Sequence, residues 1–291
     1  MAARPPVAFL PSPPPHWVGD GFHVVPLFAD LAFREEVSPF LMLDYAAPVE
    51  FPPREKPPGV GAHPHRGFET VTIVYHGEVE HRDSAGHSGT IGPGDVQWMT
   101  AGSGLLHEEF HSREQTKRGG LVSMAQLWVN LPAKDKSAAP AYQTILNAQI
   151  PAVDLGSNNR LRVIAGAFGD AKGPARTFSD LHVWDVDLTA GADVVLPIAA
   201  GDNVMVAHFS GTLHVADQDL PQPGLLMFGP AGDGIALQAK SDVKLLVLAG
   251  KPLGEPISHY GPFVMNTEAE IKQAIADFRA GKMGRPDYFD A

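Results

Sequence analysis

The sequence contains no cysteine. This absence excludes disulfide bonds, thiolate metal ligands and thiol nucleophiles. A chain without disulfides suits a reducing compartment, and we predict a cytoplasmic protein. Several prolines among the first eleven residues would interrupt the apolar core of a signal peptide, which agrees with that prediction.

Positive charge is also scarce. The chain has 22 Lys and Arg residues against 33 Asp and Glu residues, and its formal net charge is −11. Because this charge opposes nucleic acids and anionic membrane surfaces, we predict neither as a direct partner. No uninterrupted apolar run approaches the roughly 20 residues that a membrane-spanning helix needs. The sequence also lacks a nucleophile elbow, a phosphate-binding loop and a dinucleotide-binding motif.

Glycine and proline, by contrast, are plentiful. With 30 Gly and 27 Pro, about a fifth of the chain favours turns, which is typical of many short strands. Between residues 59 and 131, short apolar runs alternate with turn sequences, and this pattern predicts an all-β sandwich or barrel.

The length of 291 residues predicts two domains. We place their boundary at a polar, proline-flanked stretch, so that the domains are 1–133 and 134–291. Near the end of the second domain, Thr267 and Glu270 have the spacing of a capping box, which predicts a short C-terminal helix.

The second half of the chain repeats the turn sequences of the first. Gly77 aligns with Gly211, and the spacing from Gly94 to Gly104 equals the spacing from Gly224 to Gly234. Glycine is favoured in turns where the backbone needs a positive φ angle, so glycines at matching positions of the two halves indicate the same turns. The repeat therefore predicts two copies of one β domain.

Two pairs of metal-ligand residue types lie at strand spacing in the first half. His63 and His65 are two residues apart, and so are His107 and Glu109. Residues at this spacing in a strand point to the same face. Three imidazoles and one carboxylate that converge from two strands predict a site for one divalent metal ion. A β-bulge here would exchange Glu109 for Glu108.

The repeat supports this interpretation over a purely structural role for the histidines. In the alignment, Pro197 and Ala199 stand opposite the first pair, and Leu237 and Ala239 stand opposite the second. The second domain is therefore predicted to keep the scaffold without the metal ligands.

Glu69 and Arg66 are further candidates next to the first pair. By alternation from His65, Glu69 shares the histidine face, where it would be a fifth ligand or a base near the metal. The alternative is an ion pair with Arg66 or Arg82. Arg66 directly follows the histidine pair and is a candidate to hold an anionic substrate or a ligand carboxylate.

Asp44 and Gln126 are candidates for supporting the ligands or contacting substrate. The remaining histidines near the motifs are predicted to be solvated side chains in turns. These are His76, His81, His87 and His111.

Five stretches, 63–71, 93–102, 126–131, 254–257 and 260–267, are similar to motifs of the pirin family, within the cupin superfamily. This resemblance implies two tandem cupin domains, each a double-stranded β-helix or jelly roll, with one metal in the N-terminal domain. It implies the ligand set His63, His65, His107 and Glu109, and it leaves Glu69 outside that set.

Bacterial pirins are similar to quercetin 2,3-dioxygenases. The resemblance thus implies a metal-dependent dioxygenase that cleaves a flavonol ring with O2 and releases carbon monoxide, with Glu109 as the base for the 3-hydroxyl proton. Fe(II) is the first expectation for the metal, with Mn, Co, Ni, Cu and Zn as alternatives. The alternative function is a non-enzymatic, iron-dependent regulator of the pirin type that binds a protein partner.

Overall fold

The structure is a computed structural model that describes residues 2–29 and 35–284. The described residues form many short strands, two α-helices and three 3₁₀-helices, which confirms the predicted all-β class with a short C-terminal helix. Within these residues no helix has both the length and the apolar character that crossing a membrane requires.

The strands of the first half lie before and around the predicted metal motifs. In chain order they are β1 Pro6–Pro11, β2 His16–Val18, β3 Phe22–Phe28, β4 Phe40–Phe51, β5 Gly59–His65, β6 Phe68–His76, β7 Val79–Asp83, β8 Ser88–Ile91, β9 Val96–Thr100, β10 Leu105–His111, β11 Gly120–Asn130 and β12 Ala141–Ile145.

The strands of the second half continue this series. They are β13 Ala152–Asp154, β14 Arg160–Ala165, β15 Ala167–Phe168, β16 Ala171–Lys172, β17 Leu181–Leu188, β18 Asp193–Pro197, β19 Asn203–Ser210, β20 Leu213–Val215, β21 Gln218–Leu220, β22 Gly224–Phe228, β23 Gly234–Ala239, β24 Val243–Gly250, β25 Ser258–Tyr260 and β26 Phe263–Met265.

The helices are few and short. Helix α1 spans Arg113–Arg118 and α2 spans Glu268–Arg279, and the 3₁₀-helices are Glu35–Val37, Ala133–Asp135 and Asn147–Gln149. The predicted capping box of α2 is present, because Thr267 Oγ1 accepts a hydrogen bond from Glu270 N while Glu270 Oε2 accepts one from Thr267 N.

The chain forms two compact units. Each unit combines one half of the chain with the terminal segment of the other half. Unit 1 contains the residues up to Pro13, Pro26–Pro39 and Ala148–Leu253, and unit 2 contains Pro14–Val25, Phe40–Asn147 and the residues from Gly254 onwards. Strand β1 thus belongs with the second half of the chain, and helix α2 belongs with the first half. The predicted domain boundary, with one domain ending at residue 133 and the other beginning at residue 134, stays a prediction.

Each unit contains a seven-stranded and a four-stranded sheet with the same strand order. Unit 2 has the orders β12-β9-β6-β11-β4-β3-β2 and β5-β10-β7-β8, and unit 1 has β1-β22-β19-β24-β17-β14-β13 and β18-β23-β20-β21. Strand β1 takes the edge position in unit 1 that β12 takes in unit 2. Two copies of one β domain, as the repeat predicts, are therefore present.

The four-stranded sheet of unit 1 buries alternate side chains. Along β18, Val194 and Leu196 are buried while their neighbours are exposed, and both pack in an apolar cluster with Leu237 and Ala239 of β23. This alternation is the period-2 pattern of a strand with one face on a core.

A buried carboxylate lies in the seven-stranded sheet of unit 1. Asp185 is fully buried, and its oxygens accept hydrogen bonds from Arg162 Nη1 and Lys244 Nζ, each at 2.8 Å. Lys244 also pairs with Asp187, whose side chain is half exposed. The negative charge of Asp185 therefore compensates the positive charge of the buried Arg162 guanidinium.

We expect Asp185→Ala to lower the free energy of unfolding by roughly 3–5 kcal/mol, because it removes the buried carboxylate that pairs with both Arg162 and Lys244. The matched control, Asp187→Ala, removes the exposed partner of the same lysine and should change stability by about 0.5 kcal/mol or less. Urea denaturation of metal-free protein measures both. Equal effects of the two substitutions would contradict this account.

Candidate metal centre

The candidate centre lies on the pairing of β5 with β10 in unit 2. The strands are antiparallel, with His107 opposite His63 and Leu105 opposite His65. His63 and His65 point to one face because a single residue, Pro64, separates them. His107 points to that same face because it lies directly across from His63.

The structure brings the three histidines into one cluster, as predicted. The imidazole centroids of His63, His65 and His107 lie 4.3–4.8 Å apart, and one nitrogen from each ring falls within 4.8 Å of the others. His65 and His107 are almost completely buried, and His63 is partly exposed. This group has the composition and spacing to bind a metal ion.

Burial disfavours the charged forms of His65 and His107. It lowers the pKa of His65 and of His107 well below the ordinary histidine value, and the neighbouring imidazoles lower both further. His63 Nδ1 lies 2.9 Å from the Gly61 carbonyl, which can only accept a hydrogen bond. A hydrogen bond in this contact requires the proton on Nδ1, which leaves Nε2 as the ring nitrogen that can coordinate a metal.

The hydrogen bonding of the ring nitrogens shows whether these histidines are suited to bind a metal ion. Among the described residues, Nδ1 of His65 and both ring nitrogens of His107 are buried without a hydrogen-bond partner. Such atoms destabilise a fold by about 1–3 kcal/mol each unless something binds them. Two nitrogens that bind one metal at about 2.1 Å lie no more than about 4.2 Å apart, so a slight contraction of the cluster completes the fit.

Glu109 lies two residues beyond His107 on the same strand. Its Oε2 accepts a hydrogen bond from Gln126 Nε2 at 2.8 Å, and its Oε1 accepts one from Thr72 Oγ1 at 3.3 Å. Burial raises the pKa of Glu109, while Gln126, the charge of His63 and Thr72 act in the opposite direction. The carboxylate is thus oriented and shares a cavity lining with His63. It is not part of the group of described residues whose ligand atoms lie within 4.8 Å of one another, so its role as a ligand stays a prediction.

A β-bulge does occur between His107 and Glu109, but it does not exchange the two carboxylates. The register shift lies on the β5 side, where the pairing steps from His63 to Val60, while the pairing of β10 with β7 is regular. Glu108 therefore faces away and forms an ion pair with Arg82.

A small cavity of about 40 Å³ adjoins the histidines. His63, Glu109, Asp44 and Gln126 supply its polar lining, and Val18, Phe22, Val24, Val60 and Met124 supply its apolar lining. Asp44 of β4 lies opposite Gln126 of β11. Burial raises the pKa of Asp44 to about 6, and the charge of His16 opposes that shift. Two of the secondary candidates thus share one cavity with the centre.

The other two secondary candidates are engaged elsewhere. Arg66 Nη1 donates to Asp277 Oδ2 of helix α2 at 2.8 Å. Glu69 lies on β6 in the seven-stranded sheet, where its Oε1 accepts a hydrogen bond from Thr100 Oγ1 at 2.7 Å. The predicted alternation of side-chain direction does not extend to Glu69, because β5 ends at His65. Gly67, with a φ angle of +86°, then turns the chain into the other sheet. Arg66 forms an ion pair with Asp277, and Arg82 forms one with Glu108.

Two histidines that the sequence assigned to turns are buried in strands, so that prediction was wrong. His81 of β7 lies opposite Glu109, stacks on Tyr142 with centroids 4.7 Å apart, and is 1% exposed. His111 of β10 is equally buried and contacts the carbonyl of Gly21 through Nε2 at 2.8 Å. His81 lies two residues before Asp83, and His111 lies two residues after Glu109. This strand spacing was the available sequence signal.

Unit 1 has the same pairing with apolar residues in place of ligands. Leu237 of β23 lies opposite Val194, and Ile235 lies opposite Leu196. The counterparts of His63 and His65 are therefore Val194 and Leu196, three residues before the Pro197 and Ala199 of the alignment. The offset arises because the connection from β18 to β19 is three residues longer than the connection from β5 to β6.

A larger cleft, of about 370 Å³, lies on the opposite face of β10. Its lining includes Lys56, Arg82, Phe110 and Arg113 but none of the clustered histidines. This cleft is thus separate from the residues with metal-binding chemistry.

Comparison with known proteins agrees with this fold. A family model described as Pirin matches residues 21–129, and one described as the Pirin C-terminal cupin domain matches residues 183–284. Together they define a protein with two cupin domains, which confirms the predicted architecture. The chain belongs to the pirin family.

Individual relatives cover most of the chain. A Pseudomonas aeruginosa protein named "Putative quercetin 2,3-dioxygenase" is 54% identical over 93% of this chain and 95% of its own length. A crystal structure of quercetin 2,3-dioxygenase from Acinetobacter baumannii is 50% identical, with TM-score 0.95, over 98% of this chain and all of that one. Mouse Pirin is 38% identical over 86% of this chain and 84% of its own length.

We expect Glu69→Gln to stabilise the metal-free protein increasingly as pH rises. Burial raises the pKa of Glu69 to about 7, so between pH 4.5 and 7 the folded chain retains a proton that the unfolded chain loses. Wild-type stability from this group is therefore lost across that window, by up to about 1.4 kcal/mol per pH unit. The amide has no such ionisation.

Denaturation of both proteins from pH 4.5 to 8 measures this difference, with Glu50→Gln at an exposed position of β4 as the control. A constant difference between Glu69→Gln and wild type across this range would show that Glu69 ionises in the folded protein as it does in water.

Proposed function

We propose that this protein is a metal-dependent oxidoreductase of the quercetin 2,3-dioxygenase type. The proposed metal ligands are His63, His65, His107 and Glu109. The observation that carries the proposal is the cluster of three imidazoles. His65 and His107 of this cluster have unsatisfied buried nitrogens, and the oriented carboxylate of Glu109 lines the same cavity as His63. The names of the Pseudomonas and Acinetobacter relatives support the choice of reaction.

A divalent metal, when bound, supplies Lewis-acid polarisation of a hydroxyl group and, if redox-active, electron transfer with dioxygen. We propose Fe(II) as the first metal to test. Mn, Co, Ni, Cu and Zn suit the same nitrogen and oxygen donors, so they belong in the same comparison.

Glu109 is the proposed base for the 3-hydroxyl proton of a flavonol. Hydrogen bonds from Gln126 and Thr72 hold its carboxylate in one orientation. Burial raises its pKa, so the ionised carboxylate accepts a proton more readily than an exposed one. Once protonated, Glu109 is in the neutral form that its buried site favours.

Asp44 and Gln126 are the proposed substrate contacts in the lining of the cavity. They lie opposite each other on β4 and β11, and both line the same space as Glu109. The apolar walls around them exclude water, which strengthens each electrostatic contact that the substrate makes.

One observation favours the second candidate, an iron-dependent regulator that binds a protein partner without turnover. The cavity of about 40 Å³ has room for about three water molecules, whereas pockets for drug-sized ligands measure roughly 300–1,000 Å³. A flavonol requires the wall of Val18, Phe22 and Val24 to move outward. A regulatory metal requires no such space.

We expect His63→Ala to lower metal affinity at least tenfold and to lower flavonol consumption with it. His63 is the least buried of the three histidines, so this substitution disturbs packing least. His76→Ala, at the exposed end of β6, is the control. Metal analysis after dialysis measures binding, and the loss of quercetin absorbance under air, compared with anaerobic samples, measures turnover.

Two results would contradict the proposal in different ways. Full metal binding by His63→Ala would contradict the assigned centre. Stable quercetin absorbance with all six metals, despite metal binding by the wild type, would contradict the dioxygenase and favour the regulator.

We expect Glu109→Gln to lower kcat by about 10²–10⁴, because the amide keeps the shape of the side chain but cannot accept the proton. Glu108→Gln is the matched control, since Glu108 is the adjacent residue and pairs with Arg82 on the other face. Steady-state rates at saturating metal separate this effect from weaker metal binding. Wild-type kcat in Glu109→Gln would assign the proton transfer to another group.

A further inference from the structure

The backbone directly after His65 is held by the C-terminal part of unit 2. Arg66 N donates to Pro262 O at 3.2 Å, and Val264 N donates to Arg66 O at 3.0 Å. At Gly67 a Cβ atom would lie 2.0 Å from Val264 O, so the two backbones are in close contact. The end of β5 is therefore fixed on both sides by one short segment.

An ion pair between low-exposure side chains reinforces this attachment. Arg66 and Asp277 are 14% and 13% exposed and are joined by a hydrogen bond of 2.8 Å. Asp277 Oδ1 also accepts hydrogen bonds from Lys282 Nζ at 2.8 Å and Gln273 Nε2 at 2.9 Å. Helix α2 thus presents an oriented carboxylate to the residue that follows a proposed ligand.

Lys136 joins the same two segments from the inside. Its side chain is almost completely buried, and its Nζ donates to Gly67 O at 2.8 Å, Val264 O at 2.9 Å and Asn130 Oδ1 at 2.7 Å. An ammonium group has three protons to donate, and each has an acceptor here.

The strand that carries His107 is held by the same part of the chain. Leu106 N donates to Met283 O at 3.0 Å, and Ser84 Oγ donates to that carbonyl at 2.6 Å. The side chain of Met283 packs over Gly104, where a Cβ atom would lie 2.9 Å from it. Both histidine strands therefore contact residues 262–283.

We infer that residues 262–264, Asp277 and Met283, here called the C-terminal brace, position His65 and His107 and thereby set the affinity and coordination geometry of the metal centre. This inference rests on the proposed function, because it requires that the histidines bind a metal. Asp277 is a positioning residue in this proposal, because it acts through Arg66 and touches no ligand. Partners beyond the first ligand shell commonly change metal affinity 10–100-fold when they are removed.

The test compares Asp277→Ala with Lys282→Ala in the full-length chain. Lys282→Ala removes an exposed cation from the same carboxylate and leaves the Arg66 contact intact. Titration with Co(II) and Ni(II) gives the dissociation constants, and the visible absorption bands of the Co(II) form report the coordination geometry. Urea denaturation of each metal-free variant gives its stability. Asp277→Asn is the milder variant to use if Asp277→Ala does not fold.

We expect Asp277→Ala to raise the metal dissociation constants at least tenfold and to shift the Co(II) bands, while Lys282→Ala changes them less than twofold. Arg66→Ala should have the same effect as Asp277→Ala, and the double substitution should add nothing further, because both break one interaction. Folded Asp277 variants with wild-type affinity and wild-type Co(II) bands would overturn the brace. Absence of metal binding by the wild type would instead overturn the proposed centre on which the brace depends.

Discussion

The pairing of β5 with β10 is the constraint on which the candidate centre depends. In an antiparallel pair, side chains directly opposite each other lie about 4.5–5.5 Å apart on one face, so His63 meets His107. His65 joins them because it lies two residues along that face. A slip of one residue in this register would turn either strand's ligands outward and remove the cluster altogether. Everything that fixes the register therefore acts on the metal site.

Unit 1 has the same arrangement of strands as unit 2 but no histidines at the equivalent positions. It keeps the strand order and the pairing, and it fills the equivalent positions with Val194, Leu196 and Leu237, which pack in a continuous apolar cluster. Burial of these side chains stabilises unit 1, whereas the unsatisfied nitrogens of His65 and His107 destabilise metal-free unit 2. The fold therefore does not require the histidines, and their cost is offset only when something binds them.

Local patterns were sufficient to predict the strands, the repeat and the histidine cluster, because residue spacing within one strand determines the facing of side chains. Connections between strands could not be predicted in this way. Alternation counted from His65 to Glu69 passes through Gly67, where the chain leaves one sheet for another. The burial of His81 depends on Tyr142, a residue about sixty positions away in sequence, and no local signal carries that contact. The exchange of terminal segments is likewise a long-range property.

In the proposed reaction, the small cavity next to Glu109 also favours a particular route for the substrate proton. Transfer from a hydroxyl group to Glu109 moves charge within the cavity and leaves its total charge unchanged. Release of the same proton to water would change that total, and a change of charge in a poorly solvated site is costly. The raised pKa of Glu109 reflects this preference, since its buried site stabilises the neutral acid relative to the carboxylate. The burial that limits space for the proposed flavonol is thus also the cause of the raised pKa on which the proposed role of Glu109 as proton acceptor depends.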